Sequence, residues 1–140
     1  MIVSHIILAN WTNFRQVSVD LGERVFLVGP NASGKSNFLD AFRFLRDVAK
    51  DGLQEAVNDR GGLSKIRCLA ARRYSDVEID VSLSEPGRPA PSWRYALGIR
   101  QEARGYRRPI LAYERVWQGS EQIVDRPDSE DLHDELRLTQ

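Results

Sequence analysis

Gly29-Pro30-Asn31-Ala32-Ser33-Gly34-Lys35-Ser36 fits the pattern G-x-x-x-x-G-K-[ST] at every fixed position. Two glycines, a lysine and a hydroxyl residue at those places arise in roughly 10⁻⁵ to 10⁻⁴ of windows at average residue usage, so coincidence is not expected in one chain. Gly29 and Gly34 open backbone conformations closed to residues with a Cβ, which lets successive N–H groups turn inward around phosphate oxygens. Lys35 is then placed to reach β- and γ-phosphates, and the Ser36 hydroxyl is a candidate Mg²⁺ ligand. The positive end of the helix expected to follow faces the same anion. The candidate nucleotide site therefore comprises Gly29, Pro30, Asn31, Ala32, Ser33, Gly34, Lys35, Ser36 and the adjoining Asn37.

Outward from this stretch, Arg24-Val25-Phe26-Leu27-Val28 reads as a buried strand leading into the loop. Beyond it, Phe38, Ala41, Phe42, Leu45, Val48 and Ala49 recur with the spacing of one helix face and predict an amphipathic helix of about four turns. Phe44 falls off that face. Arg43 and Asp47, four apart, are spaced to pair, and Gly52 is a natural stop. Leu53 to Asn58 predicts a second short helix, ended by Arg60-Gly61-Gly62. Upstream, Met1 to Trp11 reads as an opening strand and Val17-Ser18-Val19-Asp20-Leu21 as a half-buried one. Downstream, Val77, Ile79, Val81 and Leu83 alternate with polar residues, and Trp93, Tyr95, Leu97 and Ile99 repeat the device. Ile110 to Trp117 and Gln122 to Val124 follow, so an antiparallel meander is the economical topology.

The chain has 140 residues, 41% hydrophobic and 29% charged, which is the composition of one globular unit. The apolar run Ile6 to Ala9 is too short to cross a bilayer and lacks the layout of a signal peptide, so a cytoplasmic protein without a membrane partner is expected. Its single cysteine, Cys68, forms no internal disulfide and reads as a buried apolar residue. Net charge is zero but unevenly spread: residues 60–115 carry 12 basic and 6 acidic side chains, and residues 121–140 carry 2 and 7. A basic middle is compatible with nucleic acid, but no aromatic residues suited to base stacking are evident between the charges, which favours solvated strand faces. His5 and His133 have no spaced partners, and no Ser-His-Asp or Cys-His arrangement is apparent.

The opening strand ending Leu8-Ala9-Asn10-Trp11, the segment Asn13-Phe14-Arg15, and Val28 to Ala41 together resemble the N-terminal lobe of ABC-type ATPases of the SMC, RecF and OLD-nuclease group, often grouped with AAA-type ATP-binding domains. The resemblance spans essentially the whole chain and is specific through residue 50. It implies an α/β fold of the P-loop NTPase class: an ABC-type ATP-binding lobe with a P-loop helix and an antiparallel β meander, forming a partial domain. The expected division is a lobe over residues 1–126 and an acidic, loose segment over 127–140. The resemblance also implies ATP and Mg²⁺ as cofactors, Asn13 and Arg15 near the base and ribose, and a second ATPase head or a missing C-terminal lobe as partner. Such ATPases carry a Leu-Ser-Gly-Gly signature and a Walker B strand ending in Asp-Glu, and neither is recognisable here. Gly61-Gly62-Leu63-Ser64 has the wrong order and reads as a loop. Ile110-Leu111-Ala112-Tyr113-Glu114 lacks the Asp, and Glu114 is expected to pair across strands instead. ATP hydrolysis is accordingly expected only of a complete protein or assembly, and no catalytic residue is assigned. Two alternatives stand beside this reading: another P-loop NTPase, such as a kinase or GTPase, and a non-catalytic fragment binding DNA or a partner through the basic meander.

Overall fold

A computed structural model describes residues 1–28, 34–68, 76–88 and 90–133. Six strands form one sheet: β1 (Ile2–Trp11), β2 (Phe14–Asp20), β3 (Val77–Ser84), β4 (Trp93–Gln101), β5 (Pro109–Gln118) and β6 (Glu121–Arg126). Their order is β2-β1-β3-β4-β5-β6, and every neighbouring pair is antiparallel. The alternation read from β3 and β4 is the register itself, with Val77 opposite Ile99, Ile79 opposite Leu97 and Val81 opposite Tyr95. The meander is therefore present as expected, and β1 joins it to the N-terminal hairpin by pairing Ile6 with Val81 and Leu8 with Ile79.

The helices α1 (Lys35–Asp51), α2 (Leu53–Asn58) and α3 (Leu63–Ile66) lie in the connection between β2 and β3. Ile6, Leu8, Val77, Ile79, Leu97 and Ile99 form one core with Phe38, Ala41 and Phe44 of α1, Leu53, Ala56 and Val57 of α2, and Leu63 and Ile66 of α3. The buried stripe of α1 is thus Phe38, Ala41 and Phe44, with Phe42, Leu45 and Val48 only partly covered and Ala49 exposed. This corrects the expected face: Phe44, read as off the stripe, is fully buried, because Trp11 reaches it from β1. Gly61 and Gly62 break the chain as expected, but Leu63-Ser64 opens α3 instead of continuing a loop, since Leu63 and Ile66 have core to fill.

Arg60 ties the turn after α2 to α1. Its Nε and Nη2 each donate to the Asp40 carboxylate at 3.0 Å, its Nη1 lies 3.0 Å from Asp47 Oδ2, and its guanidinium stands 5.2 Å over the Phe44 ring. Asp47 thereby pairs with Arg60 and with Arg46 at 2.9 Å, where the sequence suggested Arg43. At the other end, α4 (Ser129–Leu132) is capped by Asp128, whose side chain accepts from the Asp131 N–H at 2.8 Å, and Asp131 is held by Arg126 at 3.2 Å. Residues 134–140 lie outside the described residues.

Residues 24–28 differ from expectation. They form no strand, and Val25, Phe26, Leu27 and Val28 are 48%, 84%, 37% and 91% exposed. That alternation is the signature of an extended segment with one side inward: Val25 and Leu27 line a groove of about 560 Å³ with Ile2, Phe38 and Phe42, while Phe26 and Val28 face solvent. The physical reason is pairing. A strand exists only as a rung of a ladder, and β2, at the nearby sheet edge, pairs with β1 alone among the described strands. Among the described residues no helix is long and apolar enough to cross a membrane.

The turn between β4 and β5 is closed by Glu102 and Arg108. Arg108 donates from Nε at 3.0 Å, Nη2 at 2.9 Å and its backbone N–H at 2.7 Å to the Glu102 carboxylate, and these bonds hold the carboxyl below its ordinary value of 4.5. A lowered folded-state pKa adds stability above the unfolded value and loses it as pH falls through the folded one. The stability difference between the native chain and Glu102→Gln is therefore expected to be full at neutral pH and to narrow as the pH falls below 4.5, measured by urea unfolding across the acid range.

Candidate phosphate-binding site

Helix α1 begins at Lys35, directly after Gly34, and Gly34 has φ 93° and ψ 11°, a left-handed conformation that glycine adopts without strain. Its first carbonyl is already used, accepting the Phe38 N–H at 2.9 Å. Gly34 has no side chain to cap the helix, and the first turn of α1 contains no acidic residue. Among the described residues no side chain caps the start of this 17-residue helix, where Lys35 and the exposed Ser36 stand. Chemically, a helix start with a lysine and a hydroxyl in its first turn suits an anion, and the residue types fit a polyphosphate with its divalent cation. Of the other residues expected in the site, Gly29, Pro30, Asn31, Ala32 and Ser33 lie outside the described residues.

The β1–β2 hairpin is brought against the first turns of α1 at five points. The Trp11 indole N–H donates to the Asn37 carbonyl at 2.7 Å, and the Trp11 ring packs on Phe44 with centroids 5.2 Å apart. Phe14 meets Phe38 edge to face at 6.3 Å. Asn37 donates from Nδ2 to Asn13 Oδ1 at 3.1 Å. Asn13 also lies so close to Gly34 that a Cβ there would come within 2.8 Å of its Oδ1 and 2.9 Å of its Cγ. Asn13 and Asn37 are therefore assembled with Gly34, Lys35 and Ser36, whereas Arg15 is exposed at the start of β2. Trp11 is the residue that sequence reasoning missed. Its only signal was a large aromatic at the last position of a strand, directly before a two-residue turn.

Three further sequence readings can be placed. Glu114 in β5 pairs across the sheet as expected: Oε1 accepts from Arg126 at 3.2 Å and Oε2 from the Tyr95 hydroxyl at 2.7 Å. Burial, and then that carboxylate, push the Tyr95 phenol well above its usual range. Glu114 stands three strands from β1, apart from the start of α1. His5, read as unpartnered, has Nδ1 2.6 Å from Asp20 Oδ1 and Nε2 2.9 Å from Ser18 Oγ. Cross-strand register brings these three together on the open sheet face, where the Asp20 side chain is 95% exposed, so water competes for each bond. The outer face of the meander does carry aromatics, contrary to expectation. Trp117 lies 4.4 Å beneath Arg94 and Tyr113 lies 4.6 Å from Arg115, but Arg94 is also paired with Asp80 at 2.6 Å and Arg115 with Asp125 at 3.2 Å. The Arg94–Trp117 pair joins neighbouring strands and leaves no local trace, whereas Tyr113 and Arg115, two apart on β5, were legible in the sequence and overlooked.

A glycine-rich phosphate-loop sequence running into a helix that covers an antiparallel sheet is a mixed α/β arrangement of the P-loop class, similar to that of the SMC ATPases. The chain belongs to the family described as "AAA domain, putative AbiEii toxin, Type IV TA system", whose match covers residues 24–139. It is similar to the DNA replication and repair protein RecF of Clostridium beijerinckii, 33% identical over 96 residues covering 64% of this chain and 26% of that protein. The RecF protein of Synechocystis sp. is 32% identical over 92 residues, covering 63% of this chain and 24% of the relative. The chain thus spans about a quarter of the length of these curated relatives, at 26% and 24%. A solved structure from "Structural biochemistry of ATP-driven dimerization and DNA stimulated activation of SMC ATPases" superposes with a TM-score of 0.53 at 17% identity. That match covers 87% of this chain and 72% of the other, and it establishes the likeness of fold.

Trp11 is the side chain through which the sheet sets the position of the helix start. Trp11→Phe keeps an aromatic ring against Phe44 and removes the donor to the Asn37 carbonyl, so a loss of about 1 to 2 kcal/mol is expected in urea unfolding. Trp11→Ala, which also empties the ring's place, is expected to cost about 3 to 5 kcal/mol.

Proposed function

We propose that this chain binds MgATP through Gly29–Ser36 and serves as the ATP-binding lobe of an SMC/RecF-type ATPase. The observation that carries the reading is the start of α1: a left-handed Gly34, no side-chain cap among the described residues, and Lys35 and Ser36 in the first turn. Backbone N–H groups would surround the phosphates, Lys35 would set its ammonium against them, and Ser36 would hold Mg²⁺. Bound Mg²⁺ supplies charge neutralisation at the β- and γ-phosphates. Arg15, exposed at the start of β2, is the residue we assign to the base and ribose side.

Hydrolysis needs more than this cradle: a second carboxylate for the metal, a group orienting water, and a donor to the developing charge. Glu114 does not fill these roles, since Tyr95 and Arg126 occupy its carboxylate. We assign the missing groups to a further lobe or a second ATPase head. The half-covered extended segment at residues 24–28 supports that assignment, since it joins no strand pairing among the described residues and offers apolar side chains to incoming strands. The related SMC structure comes from work on ATP-driven dimerization and DNA-stimulated activation, which is the kind of assembly this reading calls for.

The kinase or GTPase alternative requires strands and helices in alternation with a parallel sheet. Here the strands after residue 76 are all antiparallel, and the only helix described among them or after them is the four-residue α4. The DNA-binding alternative loses force because Arg94, Arg100, Arg108, Arg115 and Arg126 each sit beside an acidic partner. Lys35→Ala is expected to abolish calorimetrically measured MgATP binding at unchanged thermal stability, and the native chain alone is expected to release phosphate negligibly. Equal affinity in the variant would remove the loop as the site. Lysine-dependent turnover at about 1 s⁻¹ or faster would remove the requirement for a further lobe.

A further inference from the structure

The Asn13 amide is oriented from both sides. Its Oδ1 lies 3.1 Å from the Asn37 Nδ2 that donates to it and 3.2 Å from the Thr12 hydroxyl. Two donors on one oxygen fix which way the amide points, and they turn the amide edge onto the Cα of Gly34. The backbone before it is unusual. Thr12, a β-branched residue, has φ 50° at the first central position of the two-residue turn closing Trp11 opposite Phe14, a place where such turns usually put glycine. The strain is held by the Thr12 N–H bond to the Ile66 carbonyl at 2.6 Å and by the burial of Trp11. What Thr12 provides there, and glycine would not, is the hydroxyl against Asn13.

Gly34 is thus constrained twice. Its φ of 93° disfavours any side chain, and Asn13 fills the space a Cβ would need. Gly34 is also the last residue before Lys35, so whatever holds its Cα sets the direction in which the phosphate loop enters α1. The Asn13 amide thus has its oxygen engaged by Asn37 and Thr12 and lies against Gly34.

We propose that Asn13 is a positioning residue for the phosphate loop: it wedges against Gly34 and fixes the junction of loop and helix, so that its loss weakens the grip on polyphosphate and leaves recognition of the nucleoside alone. This rests on the MgATP reading above and assigns Asn13 a different part from the base-side contact expected of it.

Two measurements test it. In urea unfolding, Gly34→Ala is expected to lower the midpoint, and Asn13→Ala combined with Gly34→Ala is expected to be more stable than Gly34→Ala alone, because removing the amide frees room for the methyl group. A double variant no more stable than the single one would overturn the wedge. In calorimetric titration of the native chain and Asn13→Ala, matched for melting temperature, binding of MgATP and of magnesium tripolyphosphate is expected to weaken by the same factor, tenfold or more. Asn13→Ser serves in place of Asn13→Ala should that variant fail to fold. Weakening for MgATP alone would return Asn13 to the nucleoside, and weakening of neither would leave it without a role in binding, so both outcomes overturn the proposal. A native chain that binds neither ligand would instead overturn the MgATP reading and this proposal with it, an outcome distinct from the other two.

Discussion

The placement of the helix start depends on one side chain, Trp11, which leaves the sheet at the end of β1 and enters the helical layer. It is fully buried, its ring meets Phe44, and its indole N–H finds the Asn37 carbonyl within the first turn of α1. A buried indole N–H without an acceptor is costly, so ring and donor together allow few positions for the helix relative to the strand. The same residue forms a backbone bridge to Arg67 after α3, and Thr12 bonds to the Ile66 carbonyl. Both ends of the helical insertion are therefore fastened at one place, the turn from β1 to β2. That fastening sets where the start of α1, with Lys35 and Ser36 in its first turn, stands relative to the sheet.

Much of the sheet could be read from period-two patterns because each strand of the meander is covered on one face only. Val77, Ile79 and Val81 point to the helices while Glu78, Asp80 and Ser82 do not, and sequence alternation records that directly. The loop motif was legible for a different reason, since its residue types are fixed by chemistry and not by packing. Three things were hidden. Phe44 is buried by a partner 33 positions away that no helical periodicity reports. The β1–β3 pairing, which unites the hairpin with the meander, leaves no local trace. Residues 24–28 have the composition of a two-sided strand, and composition does not reveal whether neighbours are present to pair with it.

Charge shows the same limit. The count over residues 60–115 suggests a basic surface, yet several arginines of the meander stand beside acids on adjacent strands or in the same turn, as with Arg94 and Asp80, Arg115 and Asp125, and Arg108 and Glu102. Exposed pairs of this kind contribute little stability individually, but they neutralise the face locally and fix cross-strand register. Net charge along a sequence window therefore overstates the field at a sheet surface when the compensating residues belong to other strands.

The β1–β3 seam also bears on how the molecule forms. Each other ladder joins strands adjacent in the chain, so hairpins close over short loops, whereas Ile6 and Val81 are 75 positions apart. Loop closure of that length is unfavourable until many contacts reward it, and topology of this kind slows folding more than it reduces stability. The chain enclosed by the seam is the whole segment containing the phosphate loop, α1, α2 and α3. Zipping β1 to β3 therefore encloses the helical insertion that carries the proposed nucleotide site, so the formation of that site is expected to follow a sheet pairing remote from Lys35 and Ser36.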